Sequence, residues 1–202
     1  MNSGQTYVNI TENGIKDFTK KYLPWSVWHK RLFTDAEIKY SSDSAMYDPI
    51  EIYAGYGARD INAFLRGQVD RCSYESIINT LRLSILSAPR ISENIYVYRW
   101  VPQLVINELM RFGSKTYHEF GFLSSSIIPI LGGPYNFKDD RLLKIRIDKG
   151  TPAAFVDLIV NRNENELLFL DDLWLKYVDK YHDKQYDGII YEVDMIQTHI
   201  II

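Results

Sequence analysis

The chain changes character near residue 90, and that change narrows the folds open to it more than any other feature. Before it, apolar residues recur at helical spacing; after it come short runs rich in β-branched and aromatic residues. In ENGIKDFTKKYLPWSVWHKRLF, Ile15, Phe18 and Tyr22 keep the helical spacing until Pro24, which predicts two short helices joined at a bend. Thr34 and Glu37 form a T-x-x-E capping box, which places a helix start at Thr34. Ile61, Phe64 and Leu65 share one face of a short helix that Gly67 closes, and Ile77, Leu81 and Ile85 mark a helix from Tyr74 to Leu86. Strands are predicted at IYVYRWV, FGFLSSSII, LLKIRI, AAFVDLIV, ELLFL and DGIIYEV, interrupted by one helix from Pro102 to Phe112. Helices first and strands later, without alternation of the two, indicate α+β rather than a doubly wound sheet.

At 202 residues the chain suits a single domain, a mainly helical part over residues 1–90 and a strand-rich part over 91–202. A net charge of -3 supplies no global basic field, which argues against nucleic acid as a partner. The lone Cys72 allows no internal disulfide. No run is long and apolar enough to enter a membrane, and the opening residues lack the charged and apolar regions of a signal peptide. The expectation is therefore a chain that works in a cytosol, or one whose export segment lies elsewhere. His29, His118, His182 and His199 are scattered, which argues against a metal site.

Three elements carry chemistry. Arg99 sits in a strand whose two faces are both apolar or aromatic, so its guanidinium needs an internal carboxylate or a bound anion. In FLSSS, Ser124 and Ser126 share one face and Ser125 the other; hydroxyls in a core strand need partners and can position a carboxylate. Glu164 and Glu166 stand two apart at a strand start, which predicts both carboxylates on one side and at least one raised pKa. Such a pair suits stabilising an oxocarbenium-like sugar while deprotonating an acceptor. Gly55-Tyr56-Gly57 is not a dinucleotide fingerprint, because Asp60 replaces the last glycine and no βαβ unit surrounds it.

Arg99, the serine run about 25 residues on and E-x-E about 40 further resemble the arginine, S-T-S and E-x-E signature of bacterial toxin-like mono-ADP-ribosyltransferases. The likeness is to the enzymatic components of actin-modifying binary toxins and to the clostridial Rho-modifying exoenzymes. INAFLRG, LLKIRIDKGTPAAF and ENELLFL are similar to further segments of that family, so the resemblance spans roughly Thr34 to Ile190. It implies an ADP-ribosyltransferase fold, with N-terminal helices packed on a two-sheet β core and an NAD cleft between them. It also implies NAD as co-substrate and no metal.

By the same resemblance, Arg99 would hold an NAD phosphate, Ser124 would fix Glu166, and Glu166 would stabilise the sugar cation as nicotinamide leaves. Glu164 would deprotonate the acceptor; glutamate there goes with arginine-modifying members, glutamine with asparagine-modifying ones. Tyr53, Asn62 and Arg66 would contact the adenine side, Gly121 would line the NAD site, and Phe137 would stack on nicotinamide. The implied partner is a host protein, actin or another, modified in the host cytoplasm by a secreted or injected toxin, with a separate delivery component as a further partner. Alternatives are a bacteriophage enzyme that modifies host RNA polymerase and an inactive binding module of a binary toxin, although such modules tend to lose the carboxylates kept here. Ser125 replaces the family's threonine, Asn161 and Arg162 occupy the loop where relatives carry an aromatic that meets the protein substrate, and Trp100 stands where a second arginine is common. Arg141 or Lys138 would then complete the phosphate site.

Overall fold

A computed structural model describes residues 5–39, 47–111, 113, 115–129, 140–184 and 186–197. Helix α1 runs unbroken over Glu12–Lys39 with Pro24 inside it, so the two expected helices are one and the capping box at Thr34 starts nothing. An interior proline loses one backbone hydrogen bond, but tertiary packing overrides that cost. Phe18, Tyr22, Trp25 and Phe33 form a buried stripe across the proline. The Tyr22 hydroxyl donates to the Pro89 carbonyl at 2.9 Å, and Trp25 Nε1 donates to Ser87 Oγ at 3.1 Å. Helix α2 (Pro49–Ile52) is capped by Asp48 and leads through a π-helical turn, Tyr53–Gly57, into α3 (Ala58–Leu65). Gly67, with φ of 65°, ends α3 as expected. Helix α4 spans Glu75–Ser87.

The second part supplies β1 (Ile95–Pro102), α5 (Gln103–Leu109), β2 (Thr116–Glu119), β3 (Leu123–Ser126), β4 (Asp140–Ile147), β5 (Ala154–Phe155), α6 (Asp157–Val160), β6 (Glu166–Phe169), β7 (Leu173–Asp183) and β8 (Gly188–Gln197). The segment AAFVDLIV, expected as one strand, divides into β5 and α6. The long β7 was not anticipated, because a register shift between Tyr177 and Asp179 breaks its alternation and charges crowd its far half.

Among the described residues, all eight strands form one sheet, in the order β2-β7-β8-β4-β1-β3-β6-β5. Among the described strands, β4 and β8 alone pair in parallel, and Val8 adds a parallel bridge to Ile95. The expected two-sheet core is thus a single hydrogen-bonded sheet, with its lobes joined where Tyr98 of β1 meets Ser126 of β3. Along β1, Ile95, Val97 and Val101 join the large core with the helices, whereas Tyr98 packs with Leu142 and Ile190 on the other face. Alternation therefore points Arg99 toward the helical side.

Candidate active site

Two adjoining hollows of ≈ 400 and ≈ 640 Å³ share Arg66, Gln68 and Arg99. The smaller continues over Trp100, Leu104, Val105 and Phe120, and the larger lies along α3. Arg99 is half-buried, and its Nη1 donates to the Ser124 carbonyl at 2.9 Å. One wall of this cleft is a closed polar cluster. Arg66 grips Glu119 with two hydrogen bonds, of 2.9 and 3.0 Å, and Glu119 also accepts the Gly121 N–H at 2.9 Å. Asn62 donates to the Tyr53 hydroxyl at 2.9 Å and accepts the Phe122 N–H at 2.9 Å. Tyr53 in turn donates to the Phe122 carbonyl at 3.3 Å. Tyr53 and Asn62 are buried and bonded to each other and to the start of β3, and Arg66 alone of the three lines both hollows.

The other wall is β3, which lines the smaller hollow at Leu123 and stands against β6. Ser126 pairs with Glu166 and Ser124 with Leu168, so Ser124 is the diagonal neighbour of Glu166 on the same face. The Ser124 hydroxyl donates to Glu166 Oε1, and Ser126 Oγ donates to the Glu164 carbonyl at 3.0 Å. Ser125 faces the opposite way, and its buried hydroxyl has no partner among the described residues. Glu166 is 8% exposed. Burial pushes its carboxyl above the usual range, against the Ser124 hydrogen bond, and the charges of Glu164 and Asp157 push the same way as burial.

Glu164 is not a strand residue. Asn165 between the two acids has φ of 53°, so strand alternation does not govern where the carboxylates lie, contrary to the expectation from their spacing. Glu164 is half-exposed, with the Arg162 guanidinium 3.8 Å away. The structure thus brings together Arg99, Ser124 and Glu166, with Glu164 half-exposed on the adjoining turn. Phe137 and Lys138 lie outside the described residues, while Arg141 stands in β4 opposite Val101, beside the end of β1.

Two acids at the site were not singled out from the sequence: Glu119, which holds Arg66, and Asp157, whose carboxylate accepts the N–H groups of Asn165 at 2.8 Å and Glu166 at 3.2 Å. The signal for Asp157 was available, because a lone carboxylate inside AAFVDLIV needs a partner. Among the described residues no group of acids, histidines or cysteines could hold a metal, and no helix is long and apolar enough to cross a membrane.

A family model described as ADP-ribosyltransferase exoenzyme matches residues 26–197. The chain belongs to this family. Solved structures of ADP-ribosyltransferases share its fold. Plx2a, an ADP-ribosyltransferase toxin from Paenibacillus larvae, matches with a TM-score of 0.67 at 18% identity, over 96% of this chain and 100% of that one. The ADP-ribosylating toxin BECa of the C. perfringens binary enterotoxin, solved with NADH, gives 0.69 at 18% identity, over 95% of this chain but 50% of that one. C3stau2 from S. aureus, solved with NAD, gives 0.69 at 14% identity, over 96% of this chain and 99% of that one. No curated protein matches by sequence. In this ADP-ribosyltransferase, then, the serine-held Glu166 and the cleft-facing Arg99 lie in the fold that the toxins share.

Proposed function

We propose that this ADP-ribosyltransferase cleaves NAD at the bond between ribose and nicotinamide and joins the ADP-ribose to an arginine of a host protein, as a toxin or effector acting in the host cytoplasm. The observation that carries the reading is the unequal pair of carboxylates: Glu166 buried and held by Ser124, Glu164 half-exposed on the same turn. Cleaving the glycosidic bond leaves positive charge on the ribose, and a fixed carboxylate in a dry site stabilises that charge without reorganising. Glu166 fills this role, and Ser124 keeps it in one rotamer. Arg99 borders both hollows, and a guanidinium fork suits a pyrophosphate, while Arg66, gripped by Glu119, shapes the same opening.

Glu164 takes the second task. An arginine acceptor is a poor nucleophile until it loses a proton, and a carboxylate at the rim reaches a group presented from outside. That Glu164 already meets the guanidinium of Arg162 supports an arginine as the acceptor. A separate delivery component belongs to the same reading, by likeness to the binary enterotoxin whose ADP-ribosylating chain shares this fold.

The test uses labelled NAD and host lysate, with the labelled residue mapped by mass spectrometry. Label on arginine is expected. Glu164→Gln is expected to abolish labelling while keeping most of the nicotinamide release, since water needs less activation than a cationic guanidinium. Label on another residue type overturns the arginine reading, and equal loss of both activities overturns the division of roles.

A further inference from the structure

Burial and electrostatics make Glu166 and Glu164 unequal, yet neither side chain sets its own place in the turn. The segment from Val156 to Glu166 is a loop closed at its neck: the Val156 N–H donates to the Glu166 carbonyl at 3.0 Å, and both Asp157 oxygens accept amides from the far side. Asp157 opens α6, which packs against α1 and α2, and Val156 before it and Ile159 within it are buried. Its carboxylate is thereby fixed from behind. Asn165, one of the two residues whose N–H it holds, is in the left-handed region that side-chain-bearing residues rarely adopt. Such a conformation persists when surrounding bonds over-determine it, and those bonds come from Asp157, from Ile127, whose N–H meets the Asn165 carbonyl at 3.0 Å, and from Ser126 one residue earlier.

We propose that Asp157 is a positioning residue for the transfer reaction, holding the turn that seats Glu166 beneath Ser124 while leaving Glu164 at the rim. The proposal deepens the functional reading above and rests on it. Asp157 touches neither Ser124 nor the cleft residues directly; it acts through two backbone amides, one of them Glu166's own. Its charge also bears on the reacting carboxylate. The groups facing Glu166 are the Ser124 hydroxyl from β3, Glu164 and Arg162 from the loop, Asp157 from α6, and Tyr53 from the π-helical turn. Removing the negative charge at 157 takes away one influence that favours the protonated form of Glu166.

The experiment measures nicotinamide release from NAD across pH, with melting temperatures, for wild type, Asp157→Asn and Asn165→Ala. In Asp157→Asn, kcat is expected to fall about tenfold or more with KM for NAD held within a few-fold, as for groups that orient a catalytic residue. The acidic limb of its kcat–pH profile is expected to move to lower pH, which a merely structural loss does not do. Asn165→Ala leaves Asp157 in place and strains the same turn, so it is expected to lower kcat several-fold with the limb unmoved. Unchanged kcat in Asp157→Asn overturns the proposal. So does a kcat loss that only follows unfolding, with Asn165→Ala at wild-type activity. Absence of nicotinamide release from the wild type itself counts against the functional reading instead.

Discussion

The two walls of the cleft treat their buried acids in opposite ways. On the helical wall, Glu119 is matched by a bidentate arginine, and every polar group of Tyr53 and Asn62 finds a protein partner. On the strand wall, Glu166 is buried as well, yet it is held by a hydroxyl, with a second acid two residues away. A matched cluster rigidifies; an under-matched carboxylate keeps its charge unspent for a substrate. The difference assigns the helical wall to shape and the strand wall to chemistry.

Neutralising the under-matched acid gives the largest expected effect. Glu166→Gln keeps size and hydrogen bonding but removes the charge, so nicotinamide release is expected to fall by roughly 100-fold or more. Near-wild-type turnover in this variant would erase the contrast between the walls. Ser124→Ala comes next, because it frees the carboxylate without discharging it: a loss of about ten- to a hundredfold in kcat is expected, with the melting temperature nearly unchanged. A trapped covalent adduct on Ser124 would make it a nucleophile and refute the positioning role.

On the helical wall the expected effect is on stability. A Cβ at Gly121 would lie 2.8 Å from Asn62 Oδ1 and 2.9 Å from its Cγ. Asn62 cannot swing aside without breaking its bonds to Phe122 and Tyr53. Gly121→Ala is therefore expected to cost about 1–3 kcal/mol, as overpacking does, read as a lower midpoint in urea at unchanged slope. No change in midpoint would show that the wall yields, and that its closed hydrogen bonds are not what shapes the cleft.

Much of the strand wall was legible in the sequence because it obeys period-2 alternation. Arg99 had no wet face available, and the β3 serines needed partners; the structure turns the one toward the cleft and gives two of the three hydroxyls a bond. What was hidden depends on departures from regular backbone. The left-handed Asn165 cancels the alternation that would have put both glutamates on one side, and the one sign of it in N-E-N-E is that asparagine tolerates this region better than most residues. The helical wall was hidden for another reason: Glu119 and Arg66 are far apart in sequence, and their pairing exists only once β2 and α3 converge. Likewise Pro24 read as a break because the aromatic stripe on both sides of it gains its weight only from partners such as Phe155, 5.9 Å from Tyr22 between ring centres.

The smallest expected effect follows from the same under-matching, seen as stability. Burial, then the charges of Glu164 and Asp157, raise the Glu166 carboxyl above its ordinary value. Between the usual glutamate pKa of about 4.3 and that raised value, the folded state keeps a proton that the unfolded chain has released. More protons bound in the folded state means that stability falls as pH rises through this window and stays lowered above it. Glutamine carries no charge at any of these pH values, so Glu166→Gln is expected to melt higher than wild type at pH 8, by a few degrees at most. The advantage is expected to shrink to nothing below about pH 4, where the wild-type carboxyl is protonated in both states. Calorimetric scans of both proteins across that range decide it. A variant that melts lower than wild type at pH 8 would mean that the Ser124 hydrogen bond outweighs desolvation, making Glu166 a brace like Glu119. A variant that melts higher and turns over far more slowly would show stability given up at the residue that does the chemistry, the trade expected of a preorganised charge.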